Sequence, residues 1–382
     1  MKTSLYIHIP YCFSKCDYCD FFSVGCGKRS VPEEYITALC NEITYKIKEH
    51  SVQYWNTVYI GGGTPSLLSQ SQLEKLFNAV LSTKQDSISE CTIEVNPDDI
   101  TEEYIQILNE LPVTRISCGI QSLQNNVLKN VNRRSDQNSV YNALACINSQ
   151  WKGDFSVDII SGLPEQTLET FISDLEKLLT YDIDHISMYS LTIEEGTPLY
   201  NKISSNQIKY DFDYADSLWL KGRDFLEQNG YNQYEVSNFS KPGKECRHNL
   251  VYWNLNNYIG CGAGATGTIY GINNSLRKTN KRDLKAYIDS WKNNQQCPQE
   301  IEVIDKETER FEFLMMGLRT LNGINSKIYL NRFKNDIPEN IVNKFKKWQQ
   351  NNLAEINTLS DGSVQYSLNK QGILLLNSFI IE

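Results

Sequence analysis

Short apolar runs alternate with longer stretches of helical periodicity through the first half of the chain. "SLYIHI" precedes a helical pattern at 33–50, "WNTVYI" one at 70–84 and "ECTIEV" one at 101–110. "TRISCGI" is followed by patterns at 122–130 and 136–150, "DFSVDII" by one at 167–180, and "HISMYSL" closes the series. Apolar runs this short, separated by helix-length segments, read as buried parallel strands in βα units. They predict an α/β fold built on a full or partial (β/α)6 barrel at 1–200, with its chemistry at the carboxyl ends of the strands. No Gly-x-Gly-x-x-Gly opens a helix after the first strand, which weighs against a dinucleotide-binding sheet.

Residues 201–300 break the rhythm. A long helical pattern at 208–229 leads into "YEVSNFSKPGKECRHNLVYWNLNNYIGCGAGATG", rich in glycine and aromatic residues and expected to form a loop-bearing cap that completes the barrel core. Residues 301–382 read as helix 305–321, helix 338–351, strand "LAEI", turn "LSDG", strand "VQYSL" and helix 370–380. Helices followed by a hairpin predict an α+β module of winged-helix type.

At 382 residues the chain has room for a large core and a smaller second one. Its net charge of -9 disfavours a broad nucleic-acid surface and points to small molecules or proteins as partners. No run approaches the roughly 18 to 20 apolar residues of a membrane span, so a cytoplasmic protein is expected, with peripheral membrane contact left open. Eleven cysteines, an odd count in a chain of this size, read as cytosolic thiols rather than a disulfide framework. Eight of them are scattered, and buried cysteine packs as a small hydrophobe.

The other three, Cys12, Cys16 and Cys19, stand together in "IPYCFSKCDYCDFF" directly after the first strand. Structural zinc takes four ligands, and no second Cys or His pair lies nearby to complete a set. Iron–sulfur clusters are also held by thiolates, usually four, so three leave one iron open to a substrate. "YIGGGTPS" follows the second strand and places Gly61, Gly62, Gly63 and Thr64 in either a tight turn or a close backbone approach to a ligand. It lacks the Lys-Ser/Thr of a phosphate loop. Glu94, Gln121, Arg133 and Asp158 fall at or just beyond strand ends, where each serves alone as a cap or turn residue and together as a polar rim.

Spacing and position of the cysteines resemble the signature of the radical S-adenosylmethionine (radical SAM) superfamily. The resemblance implies a [4Fe-4S] cluster on Cys12, Cys16 and Cys19, with its vacant iron chelating the amino and carboxylate groups of S-adenosylmethionine. One electron then cleaves the sulfonium to a 5'-deoxyadenosyl radical that abstracts hydrogen. "YIHIPYCFSKCDYCDFF", "GGGTPS", "IEVNP", "GIQSL", "VDIISGLPEQT" and "RHNLVYWNLNNYIGCGAG" narrow the likeness to the oxygen-independent coproporphyrinogen oxidase group, which includes HemN dehydrogenases and HemW heme chaperones. On that resemblance Tyr6, Gly62, Gly63, Thr64, Glu94, Gln121, Arg133 and Asp158 contact S-adenosylmethionine, and Tyr18 abuts its adenine. Strand alternation puts Tyr6 and His8 together on the barrel's inner face.

Two features separate the subgroups. HemN-type dehydrogenases carry a further cysteine two positions after the third, where this chain has Phe21, and an N-terminal extension, where this chain has five residues before Tyr6. "HNLVYW" matches the H-N-x-x-Y-W motif of HemW, which assigns His248, Asn249, Tyr252 and Trp253 to heme; His248 and Tyr252 share a face if the stretch is helical. The same residues serve equally well as a loop cap and core filler. Thr266 stands where many relatives have histidine. The expectation is therefore a chaperone that delivers heme to a hemoprotein acceptor, reduced by a low-potential donor of flavodoxin or ferredoxin type. The alternatives are a coproporphyrinogen III dehydrogenase, converting propionates to vinyl groups, and a cluster protein without radical chemistry.

Overall fold

A computed structural model describes residues 1–27, 30–84 and 88–381. Six strands appear in the expected order: β1 (Lys2–Ile9), β2 (Tyr54–Gly62), β3 (Glu90–Val95), β4 (Arg115–Gln121), β5 (Asp154–Ser161) and β6 (His185–Ser190). All are parallel to their neighbours. Between them run α1 (Glu33–Glu49), α2 (Gln70–Val80), α3 (Glu102–Glu110), α4 (Asn125–Asn130), α5 (Gln137–Gln150) and α6 (Leu168–Leu178). Several starts are written locally. Ser69 and Thr167 form capping boxes with Gln72 and Thr170, and Thr101 accepts from the amide of Tyr104.

One face of each strand is apolar and buried: Leu5, Ile7 and Ile9 on β1, Val58 and Ile60 on β2, Ile93 on β3, Ile116 and Ile120 on β4. These pack with Leu39, Leu76, Ile105 and Leu144 of the surrounding helices in one core. The alternate positions, on the concave face, are almost all polar.

Residues 201–300 extend the sheet at both edges. After α7 (Pro198–Ser204) and α8 (Phe212–Gln228) come the short strands β7 (Asn232–Gln233) and β8 (Asn238–Ser240); β8 adds antiparallel to β6, and β7 antiparallel to β8. Then α9 (Arg247–Trp253) leads to β9 (Tyr258–Cys261), which pairs parallel with β1 as a seventh parallel strand. β10 (Thr266–Ile269), β11 (Ser275–Asn280) and β12 (Gln299–Ile304) follow antiparallel, with α10 (Leu284–Lys292) between the last two. The order of the sheet is β12-β11-β10-β9-β1-β2-β3-β4-β5-β6-β8-β7. The glycines that read as loop are close-approach positions. A Cβ on Gly260 would stand 2.2 Å from the Thr266 carbonyl oxygen, so β9 and β10 fit together only without it.

The C-terminal module has its own core, in which Phe313, Tyr329, Phe333, Phe345, Trp348, Leu368 and Phe379 meet. It runs α11 (Lys306–Gly317), β13 (Ile324–Asn325), α12 (Ser326–Phe333), α13 (Glu339–Gln350), β14 (Ala354–Thr358), β15 (Val364–Leu368) and α14 (Leu376–Ile381), with sheet order β13-β15-β14. The helix α12 is absent from the sequence reading. It is short, only Tyr329 and Phe333 of it are buried, and Asn325 starts it by accepting from the amides of Lys327 and Ile328. The terminal pattern at 370–380 is a 3-10 turn at Gly372–Leu375 followed by α14.

One buried carboxylate ties the added edge to the barrel. Glu42 of α1, fully buried, accepts from the Gly262 amide, the Asn280 side chain and the Tyr287 hydroxyl. Glu42→Ala leaves these donors without their acceptor and is expected to lower the unfolding free energy by about 3 kcal/mol in urea titrations.

Candidate functional site

At the carboxyl ends of β1 to β6 the concave face opens into a cavity of about 500 Å³. Cys12, Cys16, Tyr18, Cys19, Gly62, Gly63, Thr64, Glu94, Gln121, Arg133 and Asp158 all line it. Residues up to 146 positions apart, from Cys12 to Asp158, are brought together because each sits at or just past a strand end of one parallel sheet. Tyr6 is not among the lining residues; its ring is 6.3 Å from that of Tyr59, which is.

The cysteine loop leaves β1 and returns on itself: Tyr11–Cys12 pairs with Val24–Gly25, and the Cys26 amide donates to the Cys12 carbonyl at 2.8 Å. Distant segments clamp it. The Asp17 amide donates to the Val131 carbonyl, the Leu199 amide donates to the Asp17 carbonyl, and Lys202 Nζ lies 2.6 Å from the Asp17 carboxylate. On the other flank the Arg134 guanidinium stacks 4.3 Å over Phe13 while pairing with Asp99 at 2.8 Å. Among the described residues no three Cys, His, Asp or Glu side chains are grouped as a site for a single ion. A cluster does not ask for that, since each thiolate attaches to a different iron.

Glycine is required at two points on the rim. Gly62 has φ +112° and a Cβ there would overlap His8 Nδ1; at Gly63 a Cβ would sit 2.6 Å from the Tyr11 carbonyl oxygen. The Gly62 amide donates to Glu94 at 3.0 Å, and the Tyr59 hydroxyl donates to the same carboxylate at 2.8 Å. Asp158 accepts from Ser117 at 3.1 Å. Depth in the protein and mutual repulsion push Glu94 up to about 7, and burial pushes Asp158 up to about 6. Both carboxyls still show surface to the cavity, so solvent inside it tempers this penalty. Gln121 has φ +72° at an irregularity in the β4–β5 ladder, a backbone conformation side chains rarely adopt, and the distortion aims it into the cavity.

Arg133 supplies the clearest sign of a missing partner. Its Nη2 donates to the Gly119 carbonyl and its Nη1 lies 3.6 Å from Cys16 Sγ, yet Nε is buried with nothing to bond. A cation beside thiolates and next to an orphaned donor fits a cluster with a carboxylate ligand beside it.

The residues assigned to heme lie at the opposite end. The helix α9 closes the amino-terminal floor of the barrel, where Glu90 receives the amides of Arg247 and His248. His248 is fully buried, with Nδ1 2.7 Å from Thr57 Oγ1 and Nε2 2.8 Å from the Tyr252 hydroxyl, so its ring presents no nitrogen to an outside ligand. Burial lowers its pKa to about 3 and keeps it neutral. Asn249 and Trp253 are partly exposed, Trp253 beneath the Arg319 guanidinium at 5.6 Å. The sequence reading missed Tyr59, Ser117 and Arg134. Period-two alternation with Gly61 and Gly119 marks the first two as inward-facing; Arg134 carries no such signal.

Residues 6–178 match the radical SAM superfamily. Over 382 aligned residues the chain is 32% identical to a protein of Bacillus subtilis named heme chaperone HemW, covering 98% of this chain and 97% of that one. A Lactococcus lactis protein of the same name is 34% identical, covering 87% and 85%. The chain belongs to the HemW family. Its fold is that of the solved coproporphyrinogen III oxidase HemN from Escherichia coli, described as a radical SAM enzyme, with a TM-score of 0.81 at 20% identity over 99% of this chain and 89% of that one. HemW membership within the radical SAM superfamily implies a [4Fe-4S] cluster and S-adenosylmethionine, and the donor set of the cavity fits both.

Because Glu94 and Asp158 sit above their ordinary values, the fold favours their neutral forms. The stability this brings is full below 4.5 for Glu94 and below 3.8 for Asp158, and is lost as pH rises through about 7 and about 6 respectively. Glu94→Gln is expected to flatten the fall in stability between pH 5 and 8 by about 1 to 3 kcal/mol, read from urea unfolding at the two pH values.

Proposed function

We propose that this HemW-family chain is a heme chaperone that holds a [4Fe-4S] cluster on Cys12, Cys16 and Cys19, binds S-adenosylmethionine in the adjoining cavity, and passes heme to a hemoprotein in the cytoplasm. The observation that carries the reading is the convergence of three thiol side chains and a polar strand-end rim on one cavity, in a chain related over nearly its whole length to proteins named heme chaperones. When bound and reduced by a low-potential donor, the cluster supplies the electron that splits the sulfonium.

The chain's own residues do the rest. Arg133 offers its unpartnered Nε to the ligand's carboxylate. Glu94 and Asp158, ionised in the upper part of the neutral range, attract the ammonium and ribose hydroxyls. Gly62 and Gly63 let the backbone stand against the ligand where a side chain would collide. For heme, Asn249 and Trp253 are the motif residues open to a porphyrin, whereas ligation by His248 requires α9 to leave the floor. Phe21, 69% exposed at the mouth, gives the HemN-type fourth cysteine no counterpart.

Anaerobic reconstitution, followed by parallel heme titration and coproporphyrinogen III turnover, tests the proposal. Heme binding without formation of protoporphyrinogen IX is expected; robust turnover with no heme binding would leave the dehydrogenase in its place. Alanine at Cys12, Cys16 or Cys19 should abolish the cluster, and Cys26→Ala should retain about four irons per chain. His248→Ala is expected to lower the melting temperature while heme binding persists, because two buried hydrogen bonds are lost and no axial ligand is.

A further inference from the structure

Three half-buried tyrosines inside the barrel, Tyr59, Tyr6 and Tyr252, each donate their hydroxyl to a base. Tyr59 donates to Glu94 at 2.8 Å. Tyr6 bonds His8 Nδ1 at 2.8 Å; His8 Nε2 faces the Phe22 carbonyl, which only accepts, so Nε2 carries the proton and Nδ1 takes that of Tyr6. The same logic fixes the third pair. Thr57 donates to Ser4 and therefore accepts from His248 Nδ1, leaving Nε2 to accept from Tyr252. Ring centroids lie 5.2 Å apart from Tyr59 to His248, 5.1 Å from His248 to Tyr252 and 4.8 Å from Tyr252 to Tyr258, with Tyr6 as a branch 6.3 Å from Tyr59.

The hydroxyls satisfy Glu94, His8 Nδ1 and His248 Nε2, and the same pairing gives each phenol an acceptor for its proton. A hydroxyl paired with a base is what the oxidation of a buried phenol needs, since the radical cation must shed its proton as the electron leaves. We propose that Tyr59, Tyr252 and Tyr258, bridged by His248, form a hole-transfer path from the functional cavity to the amino-terminal floor of the barrel. The oxidant is a carbon-centred radical arising in the cavity, whose identity alone rests on the family's chemistry. It takes the hydrogen atom of Tyr59, so that the phenolic O–H bond breaks, a C–H bond forms and a tyrosyl radical remains. Tyr252 then gives an electron to Tyr59 and its phenolic proton to His248 Nε2, while water in the cavity, relayed by the Glu94 carboxylate, supplies the proton that restores the Tyr59 hydroxyl and leaves Glu94 as it began. In the last step Tyr258, whose hydroxyl accepts from Thr268 and among the described residues donates to no base, reduces Tyr252; His248 hands its proton back, and the proton of Tyr258 goes to water at its partly exposed edge. One hydrogen atom has been spent on the carbon radical and one hole has reached the surface, away from the cluster thiolates.

The path can be entered from its outer end without any cofactor. Azide radicals generated by pulse radiolysis remove one electron from exposed tyrosine, giving azide, a proton and a tyrosyl radical whose absorbance is followed in time. Buried tyrosyl radicals cannot dimerise, so the wild-type chain is expected to show a slowly decaying component. That component should be lost in Tyr258→Phe and largely lost in Tyr252→Phe, and it should survive in Tyr45→Phe, an exposed position outside the path. Comparable melting temperatures of the Phe variants separate lost conduction from lost folding. Absence of a slow component in the wild type, or its persistence in both Tyr252→Phe and Tyr258→Phe, overturns the path. Neither result bears on heme or cluster binding, so the proposed function stands or falls separately.

Discussion

A parallel sheet that turns a polar face inward must satisfy every group on that face from within. Helices can cover the convex side with leucine and isoleucine, but nothing apolar can line a concavity bearing Glu90, Glu94, Arg115, Asp154, Asp158 and His185. The solution is layered. At the floor, Glu90 and Asp154 neutralise Arg115, and Glu90 also receives the first amides of α9. Above it, two neutral histidines each bridge a hydroxyl and a phenol, His248 between Thr57 and Tyr252, His185 between Ser156 and Tyr234. At the carboxyl rim the Arg133 Nε is unmet and two carboxyls are held above their usual range. Arg133 Nε faces the cavity, which is where a ligand can complete its bonding.

The order of the barrel strands was legible because each is a short apolar run with a helix behind it. The cavity was legible for a related reason: in a parallel sheet a polar residue at a strand end has only one place to be. Tyr6 and Tyr59 show the limit of that logic. Both point inward, and which of them reaches the wall depends on how far each strand advances along the barrel axis, a property of register and not of pattern. The edges of the sheet were hidden because β9 and β10 carry glycine where strands normally carry β-branched residues, for the sake of their close contact. His248 and Tyr252 do share a helical face, yet that face turns into the barrel, because Glu90, 158 positions earlier, receives the start of α9.

Placing α9 as a floor changes what its motif means physically. A histidine flanked by tyrosine and tryptophan is attractive as a heme contact when the segment is pictured at the surface. Once the helix is the plug of a polar barrel, the same residues hold β2, β3 and the C-terminal module in one arrangement, with Trp253 beneath Arg319. His248 also packs against Tyr59, whose hydroxyl donates to Glu94, so floor and rim are joined by one run of contacts.

The clamp on the cysteine loop has a consequence for how the protein is made. Asp17 is held by Val131, Leu199 and Lys202, the last 185 residues further along the chain. A ribosome adding about 5 to 20 residues per second leaves the thiols of a nascent chain unlatched for roughly ten seconds or more before Lys202 emerges. Throughout that interval Cys12, Cys16 and Cys19 are ordinary reactive thiols, open to oxygen and stray metal. A chain that stalls before its seventh helix lacks these contacts, and its cysteine motif has no fixed shape to offer the proposed cluster.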